Sequence, residues 1–237
     1  MIAGDDHKPM SKQIDRRRVT LYLVATPFVL ALLLFLPAGS LTWVKGWLFL
    51  LALLVAMALS ALYLWRVNPE IYAARSRIQP GTKRWDLTLM AILGSLLVAV
   101  LPVAALDAGR FRWSVVPWRV CSLGYALLLV GFGIAVRAEA VNRFFELGVR
   151  IQAERGHTVI DTGPYAVVRH PGYVGTCLLA VGIALSLGSW WALVPAGLSS
   201  LVLLVRTRWE DRTLQEELAG YKEYTQRVRF RWIPGVW

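Results

Sequence analysis

The sequence predicts an all-α, polytopic integral membrane protein with about six transmembrane helices. Hydrophobic residues make up 57% of the 237 residues and charged residues only 17%, which disfavours a soluble globular domain. The apolar residues form long runs without charge, separated by short polar segments. The net charge of +11 is carried by the polar segments and the chain ends, a distribution typical of membrane topology rather than of nucleic-acid binding.

The N-terminal half contains four predicted spans, which form a transmembrane bundle over residues 20–136. At ~1.5 Å per residue, a helix needs about 20 apolar residues to cross a hydrocarbon layer of ~30 Å. A polar tail over residues 1–19 precedes the bundle and is predicted to be cytoplasmic, because it carries three consecutive arginines. The four apolar runs are residues 20–36, 46–65, 87–106 and 120–136.

The last apolar run covers residues 174–205 without a charged residue. A single helix of that length would be about 48 Å long, well beyond the hydrocarbon thickness. Gly188 and Ser189 near its middle favour a helical hairpin, with helices over residues 174–187 and 190–206. One long helix is the alternative that the run by itself leaves open.

The distribution of basic residues favours the hairpin. With six spans, all but four of the 26 lysine and arginine residues lie on one side, which the positive-inside rule makes cytoplasmic. Both termini are then predicted to be cytoplasmic, and the compact, basic architecture suggests a prokaryotic inner membrane. The four exceptions are Lys45, Arg110, Arg112 and Arg119.

Metal and disulfide chemistry are not expected. Cys121 and Cys177 both lie inside apolar runs and form no pattern of metal ligands. They are interpreted as small buried apolar side chains. We therefore predict the lipid bilayer as the surrounding partner, with no metal and no nucleic acid.

The longest polar passage, residues 141–175, carries the first cluster of candidate functional residues. The fourth span is predicted to continue as a helix to Gly156, followed by a turn at residues 161–164. Pro171 suits the first turn of the next span, which places Arg169 and His170 at the membrane surface. An arginine there can bind a carboxylate through two hydrogen bonds, but interfacial anchoring explains these residue types equally well.

The second cluster follows the hairpin and begins at Arg206. Arg206 and Glu210 are four residues apart, so they share one face of a helix. An ionisable side chain at the membrane boundary is a candidate functional group. An interfacial anchor with a surface ion pair is an equally good explanation of these residues alone.

The order of motifs in the C-terminal region resembles the isoprenylcysteine carboxyl methyltransferase family, which is related to phospholipid N-methyltransferases. The motifs are HTVIDTGPY, then RHPGYVG, then the uncharged hairpin, and then RTRWED. They lie within about residues 140–237, whereas the first 110 or so residues match only as apolar spans. Residues 137–237, with the hairpin at 174–206, are therefore predicted to form a catalytic core.

The resemblance implies that S-adenosylmethionine binds on the cytoplasmic side, between the polar loop before the hairpin and the helix after it. It implies catalytic roles for Arg206 and Glu210, with Glu210 also near the cofactor. Asn142 and Arg206 are expected to contact the methyl acceptor. The other implied cofactor-binding residues are Gln152, His157, Val159, Gly163, Tyr165, Arg169, His170, Pro171 and Tyr173.

The implied acceptor is a lipidic or small apolar molecule, and carboxyl methylation of an isoprenylated-cysteine type of substrate is the nearest match. A carboxylate acceptor is already ionised, so Arg206 would orient it without a general base. A thiol or a phospholipid amine would instead use Glu210 as proton acceptor. A sterol-reductase-like enzyme using NADPH and a non-catalytic membrane scaffold are the alternatives, which cofactor titration distinguishes.

Overall fold

A computed structural model describes residues 16–237, with side chains from residue 25 onwards. The predicted tail therefore lies mostly outside the described residues. Within residues 16–237 the chain is helical and contains no β-strand, as predicted. The main helices are α1 (Arg16–Ala38), α2 (Val44–Val67), α3 (Glu70–Arg75), α4 (Arg84–Ala104), α5 (Trp118–Val141), α6 (Pro171–Leu187), α7 (Leu193–Glu217) and α8 (Tyr221–Arg227).

The described helices include three that are long and apolar enough to cross a membrane. They are α2, α5 and the continuous segment Arg84–Phe111, in which α4 passes into a π-helix at Ala105–Phe111. Two shorter apolar helices are Ala25–Ala38 and Pro171–Leu187. Large apolar side chains of α2 face outwards, including Leu51, Leu59 and Leu62, as expected of a helix in contact with lipid. These apolar helices support an integral membrane protein.

The last apolar run forms two helices, as the hairpin prediction required. Gly188 ends α6 with a φ of 81°, a left-handed conformation that favours glycine. α7 begins at Leu193 and continues to Glu217, well past the predicted end at residue 206. Arg206 and Glu210 therefore lie on one unbroken helix that emerges from the apolar core.

Glycines bring α5 and α6 into backbone contact. A Cβ atom at Gly131 would lie 2.7 Å from the carbonyl oxygen of Gly175, and one at Gly182 would lie 2.6 Å from the amide nitrogen of Leu128. Small residues allow such close packing between helices in a membrane. The contact fixes the start of α6, where His170 and Tyr173 lie, against the end of α5.

The predicted continuation of the fourth span to Gly156 is wrong, because α5 ends at Val141. The Asn142 side chain accepts a hydrogen bond from the Phe144 amide at 2.9 Å and turns the chain. Farther along, the Val149 amide donates to Asp86 at 2.7 Å and the Val149 carbonyl accepts from the Lys83 amide at 3.0 Å. These tertiary bonds use backbone groups that a helix would need.

Candidate active site

One cavity of about 600 Å³ joins the two polar clusters to the interior of the bundle. Its polar end contains side chains from the 142–173 segment and from α7 and α8. Its other part, the apolar arm, reaches between α2, α4, α5 and α6, and is lined by Met57, Leu64, Met90, Leu97, Phe132 and Leu179. A cavity of this size with a few convergent polar groups is typical of a small-molecule site.

The cavity brings together the predicted site residues except Gly163 and Pro171. Gly163 has a φ of 58° and lies in the turn that precedes Tyr165, where a Cβ atom would come within 3.1 Å of Val141. Pro171 occupies the first turn of α6, as predicted. The predicted residues that line the cavity are Asn142, Gln152, His157, Val159, Tyr165, Arg169, His170, Tyr173, Arg206 and Glu210.

Arg206 is buried and paired with Asp86, a residue of α4 that is fully inaccessible to solvent. Its Nε and Nη2 atoms donate to the two Asp86 carboxylate oxygens at 2.7 and 3.0 Å. Nη2 also donates to the Leu147 carbonyl at 2.6 Å. The partner of Arg206 is therefore Asp86, and Glu210 does not share its hydrogen bonds.

A second buried pair joins Arg169 to Asp211. Nε and Nη2 of Arg169 donate to Asp211 at 2.9 and 2.8 Å, while Nη1 donates to the carbonyls of Val228 and Arg229. Asp211 also accepts from the Tyr221 hydroxyl at 3.0 Å. This network binds the start of α6, α7 and the C-terminal segment into one unit, and it occupies most of the Arg169 donors.

Glu210 lies beside two aromatic rings at the start of α6. Its carboxylate accepts a hydrogen bond from the Tyr173 hydroxyl, and its Oε2 atom is 3.8 Å from Nδ1 of His170. The His170 and Tyr173 rings stack with an interplanar angle of 11°. Among the described residues Glu210 forms no ion pair with an arginine or lysine, so its negative charge is available to a cation in the cavity.

Asn142 and Tyr165 meet on another wall of the cavity. The Asn142 amide donates to the Tyr165 hydroxyl at 3.2 Å, and the Tyr165 carbonyl accepts from the Tyr224 hydroxyl at 2.7 Å. Burial raises the pKa of both tyrosines above the ordinary value, so both hydroxyls are neutral at physiological pH. The tyrosines therefore supply neutral aromatic surface and hydrogen-bonding groups.

The loop before the hairpin is held by Gln152, which is 2% exposed. Its Nε2 atom donates to the Phe144 carbonyl at 2.7 Å, and its backbone amide donates to Nδ1 of His157 at 3.3 Å. Burial lowers the pKa of His157 to about 4, so the ring is neutral at physiological pH. Val159 packs beside this loop against the cluster formed by Leu218, Tyr221, Tyr224 and Val228.

Several charged residues in or directly behind the cavity wall are not identified by the sequence patterns. Asp86 lies 120 positions before its partner Arg206, and no local motif marks it. Arg75 forms an ion pair with Glu139 in the cavity wall, beside the Phe145 ring at 5.3 Å. The only available signal was the position of Asp86 and Glu139 at the ends of apolar runs, which does not indicate a partner.

A family model described as phospholipid methyltransferase matches residues 120–219. The resemblance to this group of methyltransferases is confirmed. The matched segment contains the predicted site residues from Asn142 to Glu210. Asp86 and the α2 and α4 walls of the cavity lie outside it.

Two relatives from rice, Oryza sativa subsp. indica and subsp. japonica, are each described as a probable protein-S-isoprenylcysteine O-methyltransferase. Each is 29% identical over 119 residues, which cover 47% of this chain and 60% of the relative. The chain thus matches somewhat less than two thirds of the length of these curated relatives. A solved structure of the eukaryotic intramembrane Ras methyltransferase is 16% identical with a TM-score of 0.47, covering 94% of this chain and 86% of that one.

Proposed function

We propose that the protein is an integral membrane methyltransferase that transfers a methyl group from S-adenosylmethionine to a lipidic or small apolar acceptor. The observation that carries the proposal is the single cavity in which a charged, aromatic end continues into an apolar arm between the helices. A polar cofactor can bind at the charged end while an apolar acceptor occupies the arm. The cofactor then stays out of the apolar interior, and the acceptor stays out of water. The similarity of residues 120–219 to methyltransferases supports this reaction class.

The polar end suits the chemistry of the cofactor. S-adenosylmethionine supplies a methyl group on a positively charged sulfonium, together with an ammonium, a carboxylate and an adenine ring. Glu210 provides negative charge that forms no ion pair with a described arginine or lysine, and the aromatic rings of Tyr165 and Tyr173 provide surface for a cation or a flat ring. We assign Glu210, Tyr165, Tyr173, His157 and His170 to this end.

Arg169 and Gln152 act on the cofactor indirectly in this proposal. The Arg169 guanidinium group donates to Asp211 and to two backbone carbonyls, so it positions His170 and the start of α6. Gln152 positions His157 and the loop. Gly163 and Pro171, which do not line the cavity, set the backbone path of the turn and the start of α6.

Arg206 orients the acceptor. Its Nε and Nη2 atoms bind Asp86, and Nη1 bonds to no described residue. Nη1 is therefore the group that can donate to an acceptor carboxylate at the junction of the polar end and the apolar arm. A carboxylate attacks as the anion, so alignment and exclusion of water supply the rate enhancement without a general base.

Carboxyl methylation of an isoprenylated-cysteine type of substrate is the reaction that we favour. Arg206 suits an anionic acceptor, and the apolar arm suits its hydrocarbon chain. A thiol or a phospholipid amine loses a proton during methylation, and Glu210 would accept it. The same cavity would then serve S- or N-methylation, and Glu210→Gln would lower kcat for those acceptors more than for a carboxylate.

Cofactor titration tests the proposal first. By calorimetry, the purified chain is expected to bind S-adenosylmethionine saturably and NADPH not at all. Binding of NADPH alone would instead indicate a reductase, and binding of neither would indicate a scaffold. Transfer of a tritiated methyl group into carboxylate, thiol and amine lipid pools then identifies the acceptor.

The variants Arg206→Ala and Tyr165→Ala separate the two ends of the cavity. Arg206→Ala is expected to abolish methyl transfer while largely sparing cofactor affinity. Tyr165→Ala and His170→Ala are expected to weaken cofactor binding. Near-normal turnover of a folded Arg206→Ala variant would show that the role assigned to Arg206 is wrong.

A further inference from the structure

We propose that a second cavity, at the opposite end of the bundle, binds the phosphate of a phospholipid headgroup. This headgroup cavity has a volume of about 380 Å³. It is a cleft bounded by the connection between α1 and α2, the end of the π-helix, the segment 112–116 and the hairpin turn at Gly188. It is separate from the candidate active site, and the proposal does not depend on methyl transfer.

The charged side chains that line the headgroup cavity are both basic, and the nearby Asp107 carboxylate is fully buried behind Ser114 of its wall. Lys45 and Arg112 line it, and no acidic side chain does. Among the described residues neither forms an ion pair, in contrast to the buried arginines of the candidate active site. A cavity with two cations that lack counter-ions attracts an anion, because the anion supplies the missing partner.

Lys45 is held in place by the surrounding structure. Its Nζ atom donates to the Val116 carbonyl at 3.2 Å and lies 5.0 Å from the centre of the Trp118 ring. A Cβ atom at Gly188 would lie only 2.5 Å from Nζ, so the lysine side chain lies directly against the hairpin turn. One hydrogen bond leaves two further N–H donors of the ammonium for a ligand.

Backbone N–H groups at the start of α2 supply neutral hydrogen-bond donors beside the two cationic side chains. α2 begins at Val44, and the Trp43 side chain does not cap it. The first backbone hydrogen bonds of this helix come from the amides of Gly46 and Trp47, so the amides of Val44 and Lys45 have no backbone acceptor. Both residues line the cavity, and amides without an acceptor at the start of a helix favour a phosphate.

The position of the cavity along the bundle favours a lipid over free phosphate. Along α2, Lys45 is separated from Leu64 of the candidate active site by about 28 Å at 1.5 Å per residue, close to the ~30 Å hydrocarbon thickness. Exposed tryptophans surround this end of the bundle, as is typical of the headgroup region. They are Trp47, Trp113, Trp118, Trp190 and Trp191.

Native mass spectrometry of the detergent-purified chain tests the proposal. Phosphatidylglycerol is titrated beside two probes that each lack one part of it. Diacylglycerol with the same acyl chains lacks the phosphate, and glycerol phosphate lacks the acyl chains. Phosphatidylglycerol is expected to bind saturably and at least about tenfold more tightly than either probe.

The double variant Lys45→Gln/Arg112→Asn is expected to lose about tenfold in phosphatidylglycerol affinity, and Arg112→Asn alone about threefold. Asn tolerates the left-handed conformation of Arg112, whose φ is 54°. Arg119→Gln is the matched control, since Arg119 is an exposed basic residue of the same region that does not line the cavity. Its affinity is expected to stay within about twofold of the wild type.

Three results would show that this cavity does not bind the lipid phosphate. They are unchanged affinity in folded Arg112→Asn and double variants, equal loss in Arg119→Gln, and diacylglycerol binding as tight as that of phosphatidylglycerol. Glycerol phosphate binding as tightly as the lipid would overturn the assignment to a membrane headgroup and indicate a site for soluble phosphate. The helical circular dichroism spectrum and the melting temperature establish that each variant is folded.

Discussion

The two ends of the helical bundle neutralise their buried charges in different ways. At the candidate active site, Asp86 and Asp211 each hold a buried arginine through two hydrogen bonds. At the opposite end, Asp107 is also fully buried, but its donors are neutral: the Ser114 hydroxyl and amide, the Ser189 hydroxyl and the Trp191 amide. Within the described part of the chain, Lys45 and Arg112 of that end form no ion pair with a carboxylate.

This contrast indicates two uses of a buried carboxylate. Asp107 joins the π-helix to the hairpin turn, and its hydrogen bonds are complete within the protein. Asp86 and Asp211 fix the direction of arginine side chains at the edge of a cavity. The first arrangement stabilises the hairpin, whereas the second fixes polar groups that line the cavity, as the proposed ligand site requires. Asp→Asn changes at the three positions keep the shape of the side chain and therefore test this comparison directly.

Asp211→Asn is expected to have the largest effect on stability. It removes the charge that neutralises Arg169 and weakens the bonds from Arg231 and Tyr221. Breaking a buried ion pair by removing one partner costs about 3–5 kcal/mol. Thermal unfolding in detergent, followed by circular dichroism, measures the loss. A change below ~1 kcal/mol would show that this network does not hold the C-terminal segment.

Asp86→Asn is expected to cost slightly less stability but to lower methyl transfer strongly. Arg206 keeps its bond to the Leu147 carbonyl at 2.6 Å, but it loses its charge partner and fixed direction. We expect kcat to fall about 100-fold or more, since a misplaced catalytic group can cost that much. Cofactor affinity, measured by calorimetry, should change much less. Equal losses in kcat and in cofactor affinity would contradict the separation of the two ends of the cavity.

Asp107→Asn is expected to cost about 2 kcal/mol of stability, because it weakens hydrogen bonds to a charged acceptor without leaving a cation unpaired. Methyl transfer by the folded protein should stay within about twofold of the wild type. Ser189→Ala provides a second, smaller perturbation of the same cluster. A large loss of kcat in either variant would show that the hairpin end is coupled to the candidate active site.

His157 is expected to make stability depend on pH. Burial lowers its pKa in the folded protein to about 4, below the ordinary value of 6.5. Between these two pH values the unfolded chain therefore binds more protons than the folded protein. The contribution of the neutral His157 ring to the free energy of unfolding is complete above about pH 6.5 and is lost as pH falls towards about 4. Unfolding free energies across this range, compared between wild type and His157→Gln, measure the difference. Identical pH profiles would contradict the buried, neutral ring.

The smallest effect is expected at the exposed pair of Arg212 and Glu216, whose Nε–Oε1 distance is 2.8 Å. Both side chains are largely exposed, so water and salt screen their attraction. Glu216→Gln should change stability by less than about 0.5 kcal/mol and leave kcat unchanged. This variant is the surface control for the three Asp→Asn changes.

Much of the candidate site is predictable from the sequence because many of its residues lie close together along the chain. Arg169, His170 and Tyr173 occur within five positions, and Arg206 and Glu210 lie on one helical face. The hairpin was predictable because an uncharged run of this length exceeds the hydrocarbon thickness. The prediction that a helix continues to Gly156 is wrong, because the Val149 amide donates to Asp86 of α4 instead of to a helical carbonyl.

The all-helical class, the hairpin and the residues of the two polar clusters follow from the order of residues along the chain, because charge and apolar length are local properties. Helix packing instead sets the pairing of Arg206 with Asp86 and of Arg169 with Asp211, and among the described residues it leaves Glu210 without an arginine partner. These pairings depend on distances between helices that are far apart in sequence. The same packing makes the polar clusters open into an apolar arm, the feature on which the proposed lipidic acceptor rests.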